Sequence, residues 1–124
     1  MITLQLAWPD KALSPNGRPH RMAKARMVKL HRTAAWAVTL EALAGKKWAE
    51  KVAYLSWTFH PKTKNAVDID NCIASQKAHA DGIADALGID DKNFRSTYRI
   101  CEPIKGGKVV VTITPYPITE SERN

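Results

Sequence analysis

Clustered carboxylates in a basic protein are where this sequence could do chemistry. Between Val67 and Phe94 lie six of the chain's twelve acidic residues: Asp68, Asp70, Asp81, Asp85, Asp90 and Asp91, with Lys77 among them. The net charge of the whole chain is nevertheless +7 at pH 7. Asp68 and Asp70 stand two apart where a helix is about to begin. If Asp68 is still extended, both carboxylates can meet one ion at that corner. Hard divalent ions take such oxygen donors, and Mg²⁺ in addition keeps water and bridges to phosphate. At about 100° per residue, Lys77 and Asp81 return to within about 20° of the Asp70 face, with the small Ala74 between them and Asp85 at the margin. The turn at Asp90-Asp91 brings the chain back toward the next strand, where one carboxylate can complete a metal site. Each acid also has a plainer use. Asp68 or Asp70 can cap a helix, Asp81 and Asp85 can be solvated helix residues, Asp90-Asp91 can be turn residues, and Lys77 can pair with Asp81.

The elements around this cluster follow from pattern. Residues 2–8 alternate as a strand ended by Pro9, and residues 10–19 are a loop of turn formers with Pro15-Asn16-Gly17 as its turn. From Arg21 to Ala44 there is no Pro or Gly, which predicts a long helix closed by Gly45. Residues 51–59 read as a strand apolar on both faces and hence central. A second helix is predicted from Ile69 or Asp70 to Leu87, ended by Gly88. Strands near 95–102 and at 108–114 follow, and the Gly106-Gly107 turn between them predicts a β-hairpin. The order β-α-β-α-β-β gives an α/β (α+β) fold: a small mixed four-stranded sheet with two helices packed together on one face. At 124 residues this is one domain, with 115–124 as a polar tail.

Charge is unevenly spread. Residues 11–64 carry +10 and the last sixty carry −2. No acid occurs between Arg18 and Arg32, so the first half of the long helix lacks the i,i+4 partners that a merely solvated face usually has. Arg18, His20, Arg21, Lys24, Arg26 and Lys29 are therefore the candidate phosphate contacts, a polyanion held beside the acidic site. The apolar second half of that helix, TAAWAVTLEALAG, is expected to pack on the sheet or on a partner. Cys72 and Cys101, without CxxC spacing, read as reduced thiols in a cytoplasmic protein. His60 and His79 lack a second ligand at helical spacing, which argues against a transition-metal site. No secretory signal and no membrane-spanning run is visible.

Taken together these features resemble the RusA family of Holliday junction resolvases and their phage-encoded relatives. The resemblance covers nearly the whole chain. It is carried by Trp8-Pro9 and the Pro15-Asn16 turn with Arg18 and His20, by D-I-D-N at 68–71, by the Lys77-to-Asp81 step, by Asp90-Asp91, and by Tyr98-Arg99 followed by K-G-G-K-V-V-V-T-I-T. It implies a homodimer that binds four-way DNA junctions and makes paired nicks with Mg²⁺ or Mn²⁺, in DNA recombination and repair in a bacterial host cell, including from a prophage. Asp68, Asp70 and Asp91 match the family's metal-binding catalytic triad and Lys77 its catalytic lysine, with Asn71, Asp81 and Asp90 in support. Lys77 stands three residues further from the D-x-D than in the family pattern, about one helical turn along the same face. Two other readings remain: a structure-selective DNA-binding module without catalysis, and a metal nuclease for other branched DNA or RNA. None needs a small-molecule cofactor or a membrane.

Overall fold

The computed structural model describes residues 1–14, 20–65 and 67–118. Arg18, the Pro15-Asn16-Gly17 turn and the end of the expected tail lie outside them. The elements are β1 (Ile2–Leu6), α1 (Arg21–Leu43), β2 (Ala53–His60), α2 (Ile69–Ser75), α3 (Lys77–Leu87), β3 (Phe94–Ile100) and β4 (Lys108–Thr114). The fold class is mixed α/β, as the patterning predicts. No helix among the described residues is long and apolar enough to cross a membrane.

The sheet runs β1-β4-β2-β3, and here one expectation fails. β3 and β4 are not a hairpin. β4 lies between β1 and β2, antiparallel to both, while β3 lies on the far side of β2 and parallel to it. The physical reason is in the side chains. β4 is the apolar strand, with Val109, Val111 and Ile113 fully buried, and it takes an interior place. β3 carries Arg95 and Arg99, which suit an edge. The link between them crosses the end of β2, held by Cys101 N–H to the Phe59 carbonyl and Ile104 N–H to the Pro61 carbonyl, both 2.9 Å. The segment from β2 through α2 and α3 to β3 is thus a parallel β-α-β crossover. β2 is central, as its two-sided apolar character predicts.

Register aligns Leu4, Val111 and Trp57 in one row and Leu6, Val109 and Phe59 in the next. These rows form one core with Ala35 and Leu43 of α1 and with Ile83 and Leu87 of α3, so the helices share one face of the sheet. The helices meet closely at Gly82. A Cβ there would stand 2.2 Å from the Arg32 carbonyl oxygen and 2.9 Å from the Ala35 Cβ. Ala44 and Gly45 end α1 in left-handed conformation (φ 50° and 82°).

The single second helix expected over 69–87 is two helices. Gln76 interrupts it at φ −88°, ψ 1°, and its buried side chain joins the polar chain described below. α1 carries apolar side chains outward, among its charged ones, as well as inward. Ala35, Thr39 and Leu43 are buried, while Leu30, Trp36 and Leu40 face solvent.

Candidate functional site

The acidic segment is built by the crossover. Asp68 precedes α2 in extended conformation, as the sequence suggests, and its Oδ1 accepts from Asp70 N–H at 2.9 Å. It is the helix cap. Asp70 occupies the first turn, on the face that continues through Ile73 and Ala74. Asp90 caps a single 3-10 turn, Asp91–Asn93, by accepting from Lys92 N–H at 3.0 Å. Asp91 is left free of that duty, and its Oδ2 receives the Lys77 ammonium at 2.5 Å. The same Nζ lies 3.0 Å from Asp81 Oδ1. Lys77 therefore holds two carboxylates from separate elements on one cation. Its hydrogen bond to Asp91, then that to Asp81, raises the Lys77 pKa above the usual lysine value. The Lys77 hydrogen bond, followed by its charge, holds Asp91 below the usual carboxylate range.

The two motifs enter from different parts of the crossover. Asp68 and Asp70 follow the carboxyl end of β2, whereas Asp90 and Asp91 precede the amino end of the parallel strand β3, and α2 and α3 run between. Among the described residues no three His, Cys, Asp or Glu side chains form a group that could hold a metal ion. What the structure brings together is Lys77, Asp81 and Asp91. Asp85 does something else: it pairs with Arg32 of α1, Oδ2 to Nε at 2.7 Å and Oδ1 to Nη2 at 2.9 Å. That bond, above all, lowers the Asp85 pKa and raises that of Arg32. Arg32 thus has an acidic partner across the helix interface, which i,i+4 spacing could not reveal.

Lys77 and Asp91 stand at the rim of a cleft of about 460 Å³ between the helices and edge strand β3. Ile73, Ala74 and Ala80 form one wall, and Trp57, Phe94, Ser96 and Tyr98 the other. The aromatic wall is ordered. Tyr98 lies nearly parallel to Trp57 (22°, centroids 6.3 Å apart) and to Phe59 (10°, 6.2 Å). Trp57 Nε1–H donates to Ser96 Oγ at 3.3 Å.

Beneath the cleft runs a buried polar chain. The Asp10 backbone N–H donates to His31 Nε2 at 3.3 Å, His31 Nδ1 faces His79 Nε2 at 3.0 Å, and His79 Nδ1 faces Gln76 Oε1 at 2.7 Å. A backbone N–H can only donate, and this fixes every proton in the series: both imidazoles are neutral Nδ1–H tautomers. Burial, with the neighbouring His31 second, pushes the His79 pKa down to about 4. Burial also lowers that of His31. His79 is 1% exposed and Gln76 2%. Among the described residues the buried Gln76 Nε2 finds no hydrogen-bond partner. His31 lies among the α1 cations in sequence, but it faces the core with Ala35 and Thr39, one and two turns on. That spacing is the signal for its burial.

The remaining α1 candidates are where the sequence puts them. Arg21, Lys24, Arg26 and Lys29 are exposed along the first turns. His20 is exposed too but serves as the helix cap, its Nδ1 accepting from Met22 N–H at 3.2 Å. Cys72 is buried, Cys101 half-buried, and both are free thiols.

No family model matches the chain. It is similar to an uncharacterized protein of Xylella fastidiosa strain Temecula1, with 40% identity over 121 residues, 92% of this chain and 76% of the relative. The two belong to one family. That relationship extends along nearly the whole fold, and so takes in the acidic segment, the cleft and the cationic helix alike.

Proposed function

We propose that this chain is a divalent-metal-dependent endonuclease for branched DNA, four-way junctions first, acting as a homodimer. The observation that carries the reading is the Lys77 bridge, which draws Asp81 and Asp91 onto one cation at the rim of an aromatic cleft. Two carboxylates that already share a cation are a donor set suited to Mg²⁺, which needs only one or two and completes its shell with water and phosphate oxygen. Asp81 and Asp91 would hold the ion, and Asp70, on the helical face that leads into the cleft, stands ready as a further oxygen donor. When bound, such an ion activates water and offsets charge on the phosphate oxygens. Lys77 supplies the positive charge beside the phosphate and keeps Asp91 ionised. Arg21, Lys24, Arg26 and Lys29, on the exposed first half of α1, track the backbone and set position rather than sequence. The exposed Trp36 and Leu40 further along α1 offer an apolar surface for a second copy, whose dyad would place two sites on opposed strands.

The test separates chemistry from folding. Asp91→Asn, Asp81→Asn and Asp70→Asn are each expected to lose cutting of a four-way junction by roughly 100-fold or more while junction binding is kept. Loss of binding in step with cutting would make these residues structural. One observation favours a second reading. Asp68 is committed to the α2 cap and Asp91 to Lys77, as a DNA-binding module without catalysis would have them. That module binds junctions, is indifferent to EDTA and cuts nothing.

A further inference from the structure

The geometry points to the cleft beneath Tyr98 as a pocket for one unpaired nucleobase of the bound strand. The inference deepens the nucleic-acid reading above and rests on it. Its first support is shape. The cleft lies between an aromatic wall, Tyr98 nearly parallel to Trp57 and with Phe94 beside them, and a wall of aliphatic groups, Ala74, Ala80 and Ile73. Its volume of about 460 Å³ lies inside the roughly 300–1,000 Å³ of small-ligand sites. A planar ring fits such a slot with one face on an aromatic ring, the sequence-tolerant contact by which single strands are held.

The second support is that Tyr98 is not simply core. It is 38% exposed, and yet it stands in near-parallel register with Trp57 and Phe59, so the aromatic series ends at the solvent. The third is the polar lining. Half-exposed Ser96 lines the slot with its Oγ accepting from Trp57 Nε1–H, which leaves its O–H to donate, while the enclosed Gln76 side chain closes the floor. Carbonyl oxygens and ring nitrogens of bases are the matching acceptors. The fourth is charge. Lys77 is at the rim, 67% exposed along its side chain and held there by Asp81 and Asp91, as an ammonium donor to the sugar or phosphate of the inserted nucleotide. A paired base cannot enter. The occupant is a nucleotide already splayed from its stack, as branch points and single strands provide.

The experiment uses the whole protein in EDTA, so that no cutting intervenes. A single-stranded oligonucleotide and a four-way junction, each with one 2-aminopurine, are titrated with protein. Binding is followed separately by gel shift. Stacking on Tyr98 is expected to quench the 2-aminopurine at saturation. Tyr98→Leu is expected to lose the quench and roughly 10-fold in single-strand affinity, and Tyr98→Trp to restore both. Ala80→Leu, which fills the slot from the opposite wall, is expected to lose the quench with Tyr98 intact. Unchanged fluorescence at saturated binding, or a Tyr98→Leu protein that behaves as wild type, overturns the pocket and leaves the nuclease reading standing. Relief of the quench by free adenosine monophosphate at concentrations similar to those at which the oligonucleotide binds would assign the slot to a free nucleotide and overturn the strand-borne occupant. Binding of no nucleic acid at all overturns both proposals.

Discussion

Acidifying from pH 7 to pH 5 is expected to cost the folded protein about 2 kcal/mol through one side chain, His79. The imidazole is enclosed between α1 and α3, with Nε2 accepting from His31 and Nδ1–H donating to Gln76. A second proton has no place there, because Nε2–H would face the N–H of His31. The folded pKa is about 4, against an ordinary value of 6.5. The native state therefore resists protonation while the unfolded chain accepts it below pH 6.5. Because the folded value is depressed in a base, stability is fully present above pH 6.5, is lost as pH falls toward 4, and does not change further below that. A gap of about 2.5 pH units corresponds to about 3 kcal/mol in full, of which about 2 is lost by pH 5. His31, also depressed, acts in the same direction. The carboxylates lowered by Lys77 and Arg32 release their contribution only below pH 4, outside this window. Urea unfolding at pH 7, 6 and 5, followed by tryptophan fluorescence, measures the effect, and a His79→Gln variant should show a flatter profile over the same range. Equal urea midpoints at pH 7 and 5, or a rise on acidification, would refute the buried neutral pair.

Gly82→Ala sets a methyl against the Arg32 carbonyl, 2.2 Å from the backbone oxygen, and is expected to destabilise by about 3 kcal/mol, read as a lower urea midpoint at an unchanged slope. Lys24→Ala with Arg26→Ala is expected to flatten the dependence of log affinity on log salt by about 2, one for each phosphate no longer neutralised, in a DNA-binding titration at several salt concentrations. Cys72 is buried, and burial raises its thiol pKa, so Ellman's reagent should titrate Cys101 quickly in the native protein and both thiols only in denaturant.

Local pattern carries the elements well. The alternation of β1 and β4, the Pro- and Gly-free run of α1 with Gly45 at its end, and the two-sided apolarity of β2 each state a local preference that the fold satisfies. Pairing is another matter. A Gly-Gly turn between two strand-like runs is the usual mark of a hairpin, but Val109, Val111 and Ile113 need a neighbour on both sides while Arg95 and Arg99 need an edge. That competition is global and outweighs the turn. The long-range polar links are equally hidden, since His31 and His79 are 48 residues apart and Arg32 and Asp85 are 53 apart. Gly82 in mid-helix is a legible sign of close approach. Within the site, helical spacing correctly places Lys77 beside Asp81. It cannot show that the crossover from β2 to β3 puts Asp81 in the company of Asp91.

The most direct test of the central claim is incubation of a synthetic four-way junction with the protein and Mg²⁺, beside linear duplex and flap controls, with EDTA as the second arm. Paired nicks in the junction that vanish in EDTA and in Asp91→Asn are the expected result. Tight junction binding with no cutting of any substrate, in Mg²⁺ or Mn²⁺, would contradict it and leave a protein that holds branched DNA without breaking it.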